Sequence, residues 1–236
     1  MFKKILFIFT SVLLILVSGF FIYGSHYYKA DDLALAALQT GLKNNGVKAE
    51  DDFILIPAKE KTNTALIFYP GAKVEAAAYY PLMSKLSDQG ITCILVKMPF
   101  HLAVFNASAA DRFYEKFPEI TNWYVGGHSL GGAMASSYMA KNPDKLKGTI
   151  LLGAYIYGDV SPSKVLTVYG TEDGVLNMSK INYRENVVSI TGGNHANFGN
   201  YGKQKKDHDG FISREEQQEQ TINAIYTFIE KSNSQT

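Results

Sequence analysis

A serine, an acid and a histidine stand at three points of this sequence where nucleophilic chemistry could be done. Ser129 lies in VGGHSLGGAMA, in which Gly127, Ser129 and Gly131 form the pattern G-x-S-x-G. Asp173 lies in GTEDG and His195 in TGGNHANFG, so the order along the chain is Ser, Asp, His. A serine hydroxyl is a poor nucleophile until a base takes its proton, and a histidine held by a carboxylate is a common base. The three residues together predict attack on a carbonyl carbon.

Each of these residues has an alternative interpretation. The glycine pattern arises by chance often enough that its meaning depends on the elements around it. Ser129 could instead cap a helix inside a turn. Glu172 is the rival acid, and Asp173 is preferred because Asp-Gly ends the turn. His101 could line the same pocket, whereas His128 is predicted to pack beneath the serine turn.

Apolar runs of strand length alternate with helical segments, which is typical of βαβ units and a mostly parallel sheet flanked by helices. The predicted strands are DDFILIP, TALIFYPG, ITCILVKMP, NWYVGG, GTILLGAYI, KVLTVYG and VVSITGG. The predicted helices are DDLALAALQTGLK, EAAAYYPLMSKLSDQG, AVFNASAADRFYEKFP, LGGAMASSYMAKNPD and SREEQQEQTINAIYTFIEK. Ligands bind beyond the carboxyl ends of such strands. Because Ser129, Asp173 and His195 each follow a strand, we expect them to meet at one edge of the sheet.

Residues 1–30 are predicted to form a signal anchor that crosses a membrane. Between Lys4 and Lys29 there is no Lys, Arg, Asp or Glu, and the apolar stretch 5–24 has about the length that a helix needs to cross a bilayer. Bulky residues follow the one plausible cleavage point, so an uncleaved anchor is favoured over a secretory signal that is removed. The lysines before the span predict that the body of the protein, residues 31–236, lies outside the cytoplasm.

Composition narrows the remaining possibilities. A chain of 236 residues with 46% hydrophobic residues suits one globular domain with a sizeable core. The net charge is +1 and no basic stripe is present, so no nucleic-acid partner is expected. The single cysteine, Cys93, lies in an apolar run and is predicted to be a buried strand residue.

The segment KKDHDGFISREE partly fits a calcium-binding loop. Lys205, however, stands where the first carboxylate ligand is needed. A polar turn that leads into a helix capped by Ser213 is therefore preferred, with Glu216 completing a capping box. The sequence thus predicts no metal site, and no cofactor is expected.

Over about residues 52–230 the sequence resembles the α/β-hydrolase superfamily. It is most similar to small bacterial members without a cap domain, which are distantly similar to dienelactone hydrolases and carboxylesterases. The motifs that carry the resemblance are YPGAK, GHSLGG, GTEDG and GGNHANFGNYG. The resemblance implies an α/β-hydrolase fold in which Ser129, Asp173 and His195 form a catalytic triad.

The resemblance also implies which groups would stabilise the negative charge of the reaction intermediate. The backbone N–H groups of Leu130, next to the serine, and of Ala72, after the first core strand, correspond to an oxyanion hole. Many relatives have His-Gly where this chain has Pro70-Gly71, which makes Lys73 the alternative to Ala72. Only about ten residues, AYIYGDVSPS, join TILLG to KVLTVYG, so no cap domain fits and an open, shallow site is expected.

The expected function is hydrolysis of an ester or thioester of a small acyl substrate through an acyl-enzyme on Ser129. Two alternatives stay open: acyl transfer on the same triad, and a non-catalytic envelope binding protein that keeps the hydrolase fold. The expected partners are a small ester-type molecule and the lipid bilayer, reached through the N-terminal helix. Secretion after signal cleavage is the alternative location, and no oligomeric state is predicted.

Overall fold

Eight strands form one mostly parallel sheet in the computed structural model, which describes residues 2–60 and 62–234. The strands are β1 Lys48–Ala49, β2 Phe53–Ile56, β3 Thr64–Tyr69, β4 Thr92–Val96, β5 Asn122–His128, β6 Gly148–Leu152, β7 Val165–Gly170 and β8 Val187–Ile190. Their order across the sheet is β1-β2-β4-β3-β5-β6-β7-β8. Strand β2 runs antiparallel to both neighbours, and every pair from β4 to β8 is parallel. The mostly parallel sheet predicted from the alternating pattern is confirmed. Strand β1 is a further strand that the sequence did not predict.

Helices occupy most of the segments that the sequence indicates. Within the described residues they are α1 Phe2–Ser25, α2 Asp32–Asn44, α3 Tyr80–Asp88, α4 Asp111–Tyr114, α5 Leu130–Lys141 and α6 Arg214–Ser234. The Asp31 carboxylate caps α2 by accepting the N–H of Ala34 at 2.9 Å. The predicted cap of α6 is also present, because the Ser213 hydroxyl accepts the N–H of Glu216 at 3.0 Å. Pro81 lies in the first turn of α3, where a missing N–H removes no helical bond.

The segment AVFNASAADRFYEKFP is not the single helix that its sequence predicts. It contains a 3-10 turn at Ala103–Phe105 and, after a break, the four-residue helix α4. The buried Tyr69 explains the break, because its hydroxyl donates to the carbonyl of Ala107 and accepts the N–H of Ala110, both at 3.0 Å. This contact with β3 holds the intervening chain as a turn and overrides its local helical preference.

Both faces of the sheet are covered, which explains why its strands are continuous apolar runs. All six residues of β3 are buried. Leu66 and Phe68 face a cluster that includes residues of α2, α3 and α6. Ala65 and Ile67 face the opposite cluster, which includes residues of α4 and α5. The central strands are therefore held firmly on both sides, and the loops at their carboxyl ends have a rigid base.

The connection between β6 and β7 carries no cap domain. It spans residues 153–164, and the structure there contains only the 3-10 turn Pro162–Lys164. The short connection confirms the cap-less architecture that the sequence predicts.

Helix α1 differs from the others because its apolar side chains are exposed. It contains 24 residues and is long and apolar enough to cross a membrane. Its end leads directly into the folded body, where the N–H of Tyr28 donates to the carbonyl of Lys73 at 2.7 Å. The N–H of Glu75 in turn donates to the carbonyl of Tyr28 at 2.9 Å. A helix of this kind is consistent with a membrane anchor or with a signal sequence.

Candidate active site

Ser129 occupies the tight turn between β5 and α5. Its backbone angles are φ 52° and ψ −122°, a combination that residues other than glycine rarely adopt. Although Ser129 stands at the N-cap position, its hydroxyl makes no capping bond within the described chain. A strained strand-to-helix turn of this kind presents a serine hydroxyl above the edge of the sheet. The geometry is thus that of a nucleophile elbow and gives no support to an ordinary helix cap.

The elements around the elbow approach so closely that two glycines are required. A Cβ on Gly127 would lie 2.5 Å from the carbonyl carbon of Gly131 and 2.6 Å from the carbonyl oxygen of Tyr69. A Cβ on Gly131 would overlap the backbone of Tyr69 and Pro70. Backbone atoms cannot shift as a flexible side chain can, so the G-x-S-x-G pattern follows from packing. The loop after β3 is consequently held directly against the serine turn.

His195 and Asp173 form a buried pair. Nδ1 of His195 lies 2.7 Å from Oδ2 of Asp173, and the side chains are 1% and 0% exposed. The other carboxylate oxygen accepts the N–H groups of Val175 and Leu176 at 2.9 and 2.8 Å. Glu172, the rival acid, instead accepts a bond from the neighbouring threonine hydroxyl. The structure therefore brings Asp173, and not Glu172, to the histidine.

Ser129 and His195 line the same cavity, whose volume is about 250 Å³. Nε2 of His195 is buried and has no hydrogen-bond partner among the described residues. Because the carboxylate of Asp173 accepts a hydrogen bond from the Nδ1–H group, Nε2 of the neutral ring is left as an acceptor. Much of the remaining wall is apolar and includes Tyr155 and Leu176. A carbonyl compound in this cavity would lie beside both a hydroxyl and a free imidazole nitrogen.

The two N–H groups expected to form an oxyanion hole differ in their placement. Leu130 lines the cavity, and as the first residue of α5 it has no helical acceptor for its N–H. Ala72 does not line that cavity. The backbone N–H groups of the residues on either side of it in the loop are already hydrogen-bonded. That of Gly71 donates to the hydroxyl of Tyr79 at 3.1 Å, and that of Lys73 to a carbonyl in the loop after β4 at 2.7 Å. Lys73 is therefore excluded as the alternative donor, and Ala72 is the remaining candidate in this loop.

His128 is buried beneath the serine turn, as the sequence predicts. Its Nδ1 lies 2.8 Å from the hydroxyl of Tyr79, and that hydroxyl also accepts the N–H of Gly71. Burial, together with the adjacent His195, holds the pKa of His128 well below its ordinary value. His128 is therefore neutral and connects the elbow to the loop that carries Ala72.

Asp207 joins the acid turn to the histidine turn, a role that the sequence does not indicate. Its Oδ1 accepts the N–H groups of Gly174 and His195, both at 3.1 Å, and its Oδ2 accepts that of Ala196 at 2.8 Å. In the segment that partly fits a calcium loop, this carboxylate therefore accepts hydrogen bonds from backbone N–H groups. The only signal in the sequence is an acidic residue in a polar loop, which is too common to be specific.

Gln217 of α6 holds the residue before the histidine. The side chain is fully buried, its Oε1 accepts the N–H of Asn194 at 2.9 Å, and its Nε2 donates to the carbonyl of Asn194 at 2.7 Å. This paired bond satisfies a buried backbone unit that the turn leaves without a partner. The closing helix therefore helps to fix the position of His195.

Two further histidines lie away from the cavity. His101 stacks on Tyr27 with ring centroids 3.8 Å apart, and it is absent from the cavity wall. The structure therefore gives no support to the alternative that His101 lines the pocket, because the loop after β4 turns toward the end of α1. His208 is exposed, and its carbonyl accepts the side-chain amide of Asn194 at 2.8 Å.

Solved structures with the same fold include hydrolases. A putative lipase from Acinetobacter baumannii AYE is 12% identical, has a TM-score of 0.61, and aligns over 87% of this chain and 98% of that chain. Est1E from Butyrivibrio proteoclasticus is 15% identical with a TM-score of 0.55, over 78% of this chain and 97% of that chain. A membrane phospholipase A, described as a bacterial virulence factor, is 12% identical with a TM-score of 0.59, over 96% and 98%. At these low sequence identities, the similarity shows a shared fold and nothing more specific.

Sequence comparison is more specific about the family. No curated protein matches the sequence. The model of the alpha/beta hydrolase family matches residues 65–219, which is well over half of the chain. The matched region runs from β3 into α6 and contains the elbow, the buried His195–Asp173 pair and the cavity. The chain therefore belongs to the alpha/beta hydrolase family.

Proposed function

We propose that the protein is a serine hydrolase that cleaves an ester or thioester of a small acyl compound. The observation that carries the proposal is that the strained Ser129 and the unpartnered Nε2 of His195 line one cavity. The family and its esterase and lipase neighbours support hydrolase activity in general.

The proposed reaction begins with proton transfer from Ser129 to Nε2 of His195. The serine oxygen attacks the substrate carbonyl carbon, and the carbonyl oxygen becomes an oxyanion that the N–H groups of Leu130 and Ala72 stabilise. When the intermediate collapses, His195 donates its proton to the departing alcohol or thiol. Water then attacks the acyl-serine with His195 as base, which releases the acid and restores the serine hydroxyl.

Asp173 acts in this proposal by holding His195, not by taking a proton. Its carboxylate keeps the proton on Nδ1 and stabilises the imidazolium that forms during each transfer. Two backbone bonds to its second oxygen keep the carboxylate oriented. Asp207 and Gln217 act indirectly, because their side chains hydrogen-bond to the backbone of the histidine turn and fix its position.

The size of the cavity favours small acyl groups. Its volume of about 250 Å³ is below the roughly 300–1,000 Å³ that is usual for sites of drug-sized ligands. Its apolar wall includes Val175 and Leu176, which suits a short hydrocarbon chain. A long acyl chain would have to extend out of the cavity into water, where it gains no burial.

We further propose that residues 1–30 are an uncleaved membrane anchor that holds residues 31–236 outside the cytoplasm. The exposed apolar surface of α1 would be costly in water and is suited to lipid. Lys3 and Lys4 precede the span, as expected for a cytoplasmic end. Sequencing the N-terminus of protein purified from membranes tests this: a start near Phe20 instead of Met1 would show that the segment is cleaved.

Labelling with a fluorophosphonate tests the catalytic proposal. The wild-type protein should label, and Ser129→Ala should not. Ser137→Ala is the matched control, since Ser137 lies on α5 outside the cavity and should leave labelling unchanged. A folded wild-type protein that does not label would contradict the proposal and favour the binding-protein alternative. Adding excess alcohol during turnover separates hydrolysis, which yields free acid, from acyl transfer, which yields a new ester.

A further inference from the structure

The loop after β4 packs against the last turns of α1. The Phe100 ring lies 4.8 Å from the Phe20 ring and 5.8 Å from the Phe21 ring, and the Phe105 ring lies 5.7 Å from the Phe20 ring. Gly24 permits this approach, because a Cβ there would lie only 3.3 Å from a ring carbon of Phe100. The contact joins an element of the catalytic body to the side of the anchor helix.

Three large apolar side chains of this loop remain exposed after the contact is made. Phe100 is 39% exposed, Val104 48% and Phe105 52%. We call these three residues the apolar loop. Single apolar side chains on a surface are ordinary, but a contiguous group next to an apolar helix marks an interaction surface.

The depth of the apolar loop follows from the helix that it contacts. Phe20 lies five residues before the last residue of α1, which is about 7 Å along the axis at roughly 1.5 Å per residue. A bilayer core about 30 Å thick takes up about twenty residues of a helix, so Phe20 lies inside the lipid when α1 spans it. The rings packed on Phe20 lie at the same level, where water and soluble proteins do not reach.

We propose that the apolar loop inserts into the outer leaflet beside α1 and is a second point of membrane attachment. This inference rests on the proposed anchoring by α1. The occupant of the exposed surface is lipid, because the surface is continuous with a helix side that lipid would cover. Two points of attachment prevent the body from rotating about the helix axis, which a single helix would allow.

Polar contacts at the level above the apolar loop show which part of the body faces the membrane. The Lys73 ammonium lies 3.9 Å from the centre of the Tyr23 ring, and the Lys73 N–H donates to the carbonyl of His101. Tyr and Lys side chains are typical of the zone where lipid headgroups meet water. Since Lys73 directly follows Ala72, attachment through the apolar loop holds the candidate oxyanion loop at the lipid surface.

Fluorescence quenching by lipid tests the proposal on the full chain in bilayer nanodiscs. The single tryptophan, Trp123, is replaced by phenylalanine, and one tryptophan is then introduced at a time. Phe105→Trp and, independently, Val104→Trp should lose more than half of their emission in lipids brominated near the headgroup end of the acyl chain. Quenching should be weaker with bromine at the methyl end. Two positions guard against the misfolding of one variant.

Two control positions separate the loop from the anchor. Asp144→Trp should not be quenched, because Asp144 is exposed just before β6 at the amino ends of the strands. Phe7→Trp, near the start of α1, should be quenched strongly with bromine near the headgroup end of the acyl chain, in the opposite leaflet. Quenching at Phe7 without quenching at Phe105 or Val104 would overturn the proposal and leave the anchor intact.

Two other results also overturn the insertion of the apolar loop. Absence of quenching at Phe7 would show that the proposed anchor itself is wrong, and the insertion fails with it. Unquenched emission at Phe105 that shifts with the ratio of protein to lipid would show that a second copy of the chain covers this surface.

Discussion

The imidazole Nδ1 of His195 lies 2.7 Å from the Oδ2 of Asp173, in a pair that is almost completely shielded from solvent. Asp173→Asn would keep the shape of this pair but could present an amide N–H to Nδ1, so that the ring carries its proton on Nε2. We expect kcat for a short-chain p-nitrophenyl ester to fall by about 10³–10⁴-fold. Glu172→Gln, the neighbouring control, should change kcat little, and equal losses in the two variants would contradict the assignment of the acid.

Asp207 should contribute to both stability and rate. Asp207→Ala leaves three backbone N–H groups of the acid and histidine turns without their acceptor. We expect the free energy of unfolding to fall by about 1–3 kcal/mol. Since the histidine turn loosens, kcat should fall more than KM rises. The control is Asp209→Ala, because Asp209 is 76% exposed and pairs only with an exposed lysine; a similar loss of kcat there would show that Asp207 has no special positioning role.

His128 should make the stability of the protein depend on pH. Burial and the adjacent His195 lower its pKa in the folded state, whereas in the unfolded chain the pKa is near the ordinary value of about 6.5. Below about pH 6.5 the unfolded state therefore binds more protons than the folded state, and the free energy of unfolding falls by up to about 1.4 kcal/mol per pH unit. Above that pH the contribution is complete and constant.

Thermal melts from pH 5 to 8 check this dependence. His128→Gln removes the titrating group, so the variant should be less stable than the wild type at pH 7 but lose less stability between pH 6.5 and 5. Parallel curves for the two proteins would mean that another group causes the acid sensitivity.

Leu176 should limit the length of the acyl chain. It lines the small cavity beside Ser129 and His195, and Leu176→Ala would enlarge that cavity while keeping the backbone bond to Asp173. Each additional buried methylene contributes about 0.8 kcal/mol, so kcat/KM for an octanoyl ester relative to an acetyl ester should rise by about tenfold. Leu33→Ala, at an exposed position of α2, should leave the ratio unchanged. A ratio that also stays constant in Leu176→Ala would show that acyl chains bind elsewhere.

Much of the fold can be predicted because its signals are local. The strands are buried on both faces and therefore read as continuous apolar runs, and the residues that follow them identify the edge where a site forms. The order Ser129, Asp173, His195 could be read in the same way, and the structure places Asp173 against His195 and places Ser129 and His195 on one cavity. Their catalytic roles stay a prediction.

What the sequence could not indicate depends on contacts between distant segments. The helix expected over residues 103–118 is interrupted because the hydroxyl of Tyr69 bonds to two points within it. Lys73 could not be excluded as an oxyanion donor without knowing that its N–H is bonded to His101. Asp207 gains its role only when two turns, far apart in sequence, come together around its carboxylate.

The extended segment between α1 and α2 has a practical consequence for preparing a soluble form of the enzyme. The N–H of Tyr28 bonds to the carbonyl of Lys73, the N–H of Ala30 to the Glu75 carboxylate, and the N–H of Asp31 to the carbonyl of Asn200. A fragment that starts at residue 31, where the body is predicted to begin, would lose the first two of these bonds from the loop that carries Ala72. A fragment that starts at Tyr27 removes helix α1 and keeps the bonds that hold this loop.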